Sequence, residues 1–214
     1  MATLLVFMLT ALGAVWVLPT ILPSLTQSLS GEQPKAYWYL SRASAFAAFI
    51  LLWLSMVTGL LISNKLARAW PGGQTAFDLH QYTSLLSLAF VLFHAFILLG
   101  DRYIKYTVLQ IVVPFDSVNY KQVWVGIGQV TFYVSLVVSL TFYVRRVITQ
   151  TLWHMIHIVS YLLFITAIVH GVWSGTDSGT GWANMIYWVA VVSTLFFTVY
   201  RVIATATMQT SKAD

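Results

Sequence analysis

The sequence predicts an all-α integral membrane protein, a six-helix bundle, and three observations carry that reading. Of its 214 residues, 59% are hydrophobic and 8% charged, against about 25% charged in ordinary globular domains. Six apolar stretches take up most of the chain, each close to the roughly 20 residues that a helix needs to cross about 30 Å of hydrocarbon. None of them alternates polar and apolar residues as a half-buried strand does.

The first span is expected at 3–23. Its apolar run at 4–22 has neither a basic leading segment nor a small-residue A-x-A cleavage site, so it reads as a helix rather than a cleaved signal peptide. The polar, turn-rich segment 24–34 leads to a second span at 41–63. Pro71-Gly72-Gly73 then breaks the chain before a third span at 79–100. Residues 106–115 are too short to cross, end near Pro114 and lie between Lys105 and Asp116. Interfacial packing is the preferred reading of this run, with a lid over the bundle mouth as the alternative. Further spans are expected at 122–144, 151–173 and 182–205, and Trp70, Trp124, Trp153, Trp173 and Trp182 near span ends read as an interfacial aromatic belt. The chain thus divides into a first helix with its connecting loop (1–40), a five-helix core (41–205) and a short polar tail (206–214).

The net charge is +5, but the basic residues are scattered over loops and helix ends, which speaks for lipid headgroups and topology and against nucleic acid. Lys65, Arg68, Arg145, Arg146, Arg201 and Lys212 fall on the face that carries both termini; Lys35, Arg42, Arg102, Lys105 and Lys121 fall on the other. The Arg145-Arg146 pair, and the loop after the fifth span with no Lys or Arg, place the termini of this multi-pass cell-membrane protein in the cytoplasm. The chain has no cysteine. It therefore offers no disulfide, no iron-sulfur ligand, no thiolate for haem iron and no C-x-x-C-H attachment site.

Four of the five histidines form two pairs inside apolar spans: His80 with His94, and His157 with His170. An ionisable side chain at bilayer depth costs roughly 2.5–3.5 kcal/mol even on lenient scales, so such residues usually mark a site. The third and fifth spans run in the same direction, which brings His80 level with His157 and His94 level with His170. At 1.5 Å per residue the two rungs lie about 21 Å apart on one helix and about 20 Å apart on the other. Rotation fits less well. Fourteen steps return to within about 40° of the same face, whereas thirteen land about 140° away, so either the groups bound by the fifth span lie toward different flanks or that helix bends or tilts.

Imidazole pairs matched in height read as axial ligands of haem iron, and a single satisfied core histidine is the plainer reading of any one of them. His154, one turn before His157, reads as an interfacial or propionate-contacting residue. With His157 it makes a poor zinc site, because no carboxylate or cysteine completes the set. Thr83, Ser84, Ser87 and Thr166 offer hydroxyls near the ligands without an assigned role. Gly171 reads either as close porphyrin access or as a packing glycine.

From about residue 40 to 205 the chain resembles the ferric-reductase-like transmembrane domain, the haem-bearing core of ferric reductases, NADPH oxidases and a bacterial sulfoxide-reductase haem subunit. The carriers are Leu79-His80, Phe93-His94-Ala95, the stretch from Trp153 to Tyr161, and Val169-His170-Gly171 followed by Gly175-Thr176-Asp177. The resemblance implies two non-covalent b haems, a cytoplasmic-side one between His80 and His157 and an outer one between His94 and His170. It places Arg42 where the oxidases have an arginine facing a haem propionate; a snorkelling interfacial charge is the other reading of Arg42. The sulfoxide-reductase subunit typically lacks the first of these histidines, so His80 favours two haems. No G-x-G-x-x-G nucleotide motif is present, and a flavoprotein or a quinol is expected as a separate electron donor.

The expectation is a di-haem cytochrome b passing electrons from a cytoplasmic-side donor to an outer-side acceptor, the haem subunit of an oxidoreductase such as a ferric reductase. The rival readings are a single-haem subunit of a periplasmic system and a haem-free transporter or scaffold.

Overall fold

A computed structural model describes residues 35–145 and 147–210, together with a few isolated positions before them. The span expected at 3–23 lies almost wholly outside the described residues. Those that are described form an all-helical bundle with five helices long and apolar enough to cross a bilayer.

The long helices are α1 (Ala36–Ser63), α2 (Gly73–Phe96), α4 (Gln122–Val144), α5 (Gln150–Ser174) and α6 (Gly181–Thr210), with α3 (Val108–Val112) a short helix in the longest connection. Three boundaries outrun the expected spans. α1 starts at Ala36 rather than 41, α2 at Gly73 rather than 79, and α6 continues through Thr210, into the segment expected as tail. The apolar window measures only the stretch that suits hydrocarbon, while backbone hydrogen bonding carries a helix on through interfacial residues such as Tyr37 and Trp38.

α1 is the organising helix. It runs antiparallel to α2, with Ser41 against His94 and Ser55 against His80. It runs parallel to α6, with Trp53 Nε1 donating to Ser193 Oγ at 2.8 Å and Asn64 Nδ2 to the Phe197 carbonyl at 3.1 Å. α4 and α5 form a second antiparallel pair, joined by Thr131 and Thr166 hydroxyls at 2.8 Å and by stacked Trp124 and Trp173 rings 5.2 Å apart. The buried cluster of Phe49, Met56, Phe164, Ala183, Tyr187 and Ala190 joins α1, α5 and α6. We call the end bearing residues 64–72 and 145–149 the lower end, and the end bearing 97–121 and 175–180 the upper end.

The connection 101–121 packs back onto α4. Thr107 and Gln110 cap α3 reciprocally. Gln129 Nε2 donates to the Gln110 and Ile111 carbonyls at 2.8 Å each, and the Tyr133 hydroxyl donates to Val112 O at 2.5 Å. The segment is thus packed on the bundle, and Gln110 and Ile111 also line the central cavity.

Candidate functional site

α2 and α5 face each other across a cavity of about 1320 Å³ that all four paired histidines line. Pockets for one small molecule usually measure about 300–1,000 Å³. This volume suits more than one such group.

The structure brings together both imidazole pairs that the sequence matched. The ring centres of His80 and His157 are 5.9 Å apart with planes crossing at 68°, and those of His94 and His170 are 6.3 Å apart, crossing at 77°. The unfavourable rotation along α5 does not prevent this. His170 leans toward α4, where it meets the Trp124 carbonyl, while His157 lies on the flank that carries Trp153. Because a cavity separates α2 from α5, rings leaving α5 on different flanks still reach their partners.

Three of the four rings are anchored through Nδ1. That atom of His80 lies 2.8 Å from the Ser55 carbonyl, that of His94 2.8 Å from the Ser41 carbonyl, and that of His170 2.8 Å from the Trp124 carbonyl. A carbonyl only accepts, so each Nδ1 must carry the hydrogen. Nε2 is left as the lone-pair nitrogen. That is the tautomer a metal-ligating imidazole needs, and the partner on the other nitrogen also holds the ring's orientation.

Serine hydroxyls reinforce two of these anchors. The Ser41 hydroxyl donates to the His94 carbonyl at 2.9 Å. Ser55 Oγ lies 2.6 Å from Ser84 Oγ, and Ser84 in turn donates to the His80 carbonyl at 2.6 Å. The His157 imidazole has no hydrogen-bond partner among the described residues. Trp153 holds it instead, stacked at 5.0 Å between ring centres with 19° between planes.

Two glycines make room for the rings. A Cβ on Gly128 would fall on the His170 imidazole, and one on Gly59 would come within 3.1 Å of His80 Cε1. Gly171, read as porphyrin access or packing, abuts the Tyr187 hydroxyl, which a Cβ there would meet at 2.5 Å. Gly171 also lines the cavity.

The pair spacing can be compared with that of ligands to one metal. Metal–imidazole bonds of about 2.0 Å, each extended by about 1.2 Å from nitrogen to ring centre, put two trans imidazoles about 6.4 Å apart. Both observed pairs come close to that value. Among the described residues no three His, Cys, Asp or Glu side chains gather around one point. A metal with four ligands from a planar macrocycle needs only two imidazoles from the protein, one on each side, and the residues present fit such a group.

No protein-family model, curated protein or solved structure matches the chain.

Arg42 sits at the upper end on the rim of the cavity, but its guanidinium is engaged. It forms a two-pronged ion pair with Asp177, in which Nε donates to Oδ2 at 2.6 Å and Nη2 to Oδ1. The sequence reading weighed a propionate contact and a snorkelling charge for Arg42 and overlooked this partner, 135 positions away. His154 turns to Gln150, whose Nε2 is 3.0 Å from its Nε2, and the other histidine pairs leave it out. Thr83 and Thr166 bond within the helical backbone, Thr166 also meeting Thr131, and Ser87 donates to Ala48 O across to α1.

The anchors Ser41, Ser55 and the Trp124 carbonyl, and the ring-clearing Gly59 and Gly128, went unread. A signal for the serines was present. Ser41 and Ser55 are fourteen positions apart, as are His80 and His94, so two antiparallel helices carry the same spacing in reverse.

Proposed function

We propose that the chain is a membrane cytochrome b of the ferric-reductase-like kind. His80 and His157 would hold the iron of one b haem, and His94 and His170 that of a second. The observation that carries this reading is the repeated one: two imidazole pairs with ring centres 5.9 and 6.3 Å apart, with three of the four rings held by backbone carbonyls as the tautomer whose Nδ1 carries the hydrogen and whose Nε2 keeps its lone pair. When bound, the iron supplies one-electron chemistry. The residues of the chain orient the imidazoles, hold their Nδ1 protons and line the space with apolar side chains that keep water out.

In this reading the lower rung faces the cytoplasm, with both termini, and takes electrons from a flavoprotein or a quinol. The upper rung passes them to an acceptor outside the membrane. No acid or base in the spans takes part.

Reduced-minus-oxidised spectra of the purified chain, with haem counted per polypeptide, test the proposal. Two b-type haems per chain, reduced to one by His94→Ala or His170→Ala, are expected. A count of one would leave a single-haem subunit, and an absence of haem absorbance would sink the proposal in favour of a transporter or scaffold.

A further inference from the structure

The two mouths of the cavity differ in charge. At the upper mouth the Arg42 guanidinium is neutralised by Asp177. At the lower end, Arg201 of α6 also lines the cavity, with its neighbours Thr198 and Val202, yet it has no carboxylate partner among the described residues. Arg145, at the same end but outside the cavity lining, has its guanidinium 4.1 Å from the centre of the Phe142 ring. The nearest acid in sequence to the lower rung, Asp78, accepts from Gln74 at 3.0 Å on its own helix.

The height of Arg201 follows from the parallel packing of α1 and α6. Trp53 bonds to Ser193, so Ser55, which holds His80, stands level with residue 195. The Asn64–Phe197 bond sets it level with residue 188 instead, so Arg201 lies six to thirteen positions further along, about 9–20 Å below the lower rung at 1.5 Å per residue. An arginine on the wall of the same cavity, below an imidazole pair and lacking its own counter-ion, suits a carboxylate at the rim of the bound group. Planar guanidinium groups favour such a partner through paired hydrogen bonds.

We infer that Arg201 is the carboxylate-binding residue of the lower site and takes a propionate of the macrocycle held between His80 and His157. This rests on the function proposed above. The consequence is an asymmetric protein, in which the lower group is held by its rim as well as by its iron, while the upper arginine has its own carboxylate partner.

The test uses the full-length chain, loaded either with iron protoporphyrin IX or with its dimethyl ester, which has no free carboxylate. Loss of each group to excess apomyoglobin is followed by absorbance. In Arg201→Gln, one of the two groups of the free acid should leave about tenfold faster than from the parent, and Arg201→Lys should recover part of the difference. With the ester, parent and Arg201→Gln should lose it at the same rate. Equal rates with the free acid, as expected of an arginine that only snorkels to lipid phosphate, would overturn the inference. So would an equal acceleration with the ester, which would point to a packing effect, or a variant that retains both groups but is reduced more slowly by an anionic donor. In all three cases the parent still binds two groups and the proposed function stands. A parent chain that binds neither form overturns the proposed function, and this inference with it.

Discussion

Ser41 and His94 hold each other by two reciprocal hydrogen bonds: the serine hydroxyl donates to the histidine carbonyl at 2.9 Å, and the imidazole Nδ1 donates to the serine carbonyl at 2.8 Å. The start of α1 is thereby tied to the end of α2 at the height of the upper pair. Ser41 is 3% exposed, so water cannot readily replace its hydroxyl. Ser41→Ala removes one arm and leaves the other, at a cost of about 1 kcal/mol. Thermal unfolding of the purified protein should show a small drop in midpoint, and the histidine pair should survive. A loss of the upper metal group in this variant would mean that the hydroxyl, and not the carbonyl, orients the ring.

Gly128 supplies the space that His170 occupies, since any Cβ there would fall on the ring. If the proposed function holds, Gly128→Ala should displace His170 and remove the upper haem while leaving the lower one intact, halving the haem count. Gly59→Ala, whose Cβ would approach His80 at 3.1 Å, should shift the lower site's spectrum without emptying it. Unchanged spectra in both variants would contradict the ring positions described.

Under the proposed function, the ligand choice on α5 is sharp. His157→Ala should abolish the lower site, because that ring faces His80 at 5.9 Å. His154→Ala should leave the haem count unchanged, its imidazole being turned to Gln150. Spectra in which the two variants behave the other way round would reverse the assignment.

Arg42 and Asp177 join the first turns of α1 to the α5–α6 connection. The carboxylate side chain is 12% exposed and the arginine 31%, and two charge-assisted hydrogen bonds in that setting contribute about 1.5–3 kcal/mol. A double-mutant cycle of Arg42→Gln and Asp177→Asn, read by denaturation in one detergent, should return a coupling energy in that range. A coupling near zero would show that the pair behaves as an exposed surface bridge.

Tyr106 and Tyr120, in the connection at the upper end, should titrate late. Burial pushes the Tyr106 phenol above its ordinary 10.0, a Ser117 hydrogen bond opposing and Asp101 adding to the rise; burial and then Tyr106 raise Tyr120, with Arg42 opposing. A phenol whose folded value is raised keeps its proton after the unfolded chain has lost it. Its contribution to stability is complete below about pH 10 and is lost as pH rises from there toward the folded value. In an ultraviolet titration Tyr106→Phe should remove a component above 10. Removal of a component at or below 10 would contradict the burial of this side chain.

By itself the sequence determined the solvent and the heights. Hydropathy over about 20 residues is a property of a contiguous stretch, so five of the expected spans recur as helices. The rise per residue is equally local, and it matched His80 with His157 and His94 with His170 before any packing was known. Tertiary structure decided how the rings meet and what holds them. The awkward 140° along α5 became harmless because a cavity, not a helix contact, separates α2 from α5. The anchors Ser41, Ser55 and Trp124, the clearances at Gly59 and Gly128, and the Arg42–Asp177 pair are contacts between helices. Such contacts depend on the rotation of each helix about its axis, which the packing of the whole bundle sets and no single segment encodes.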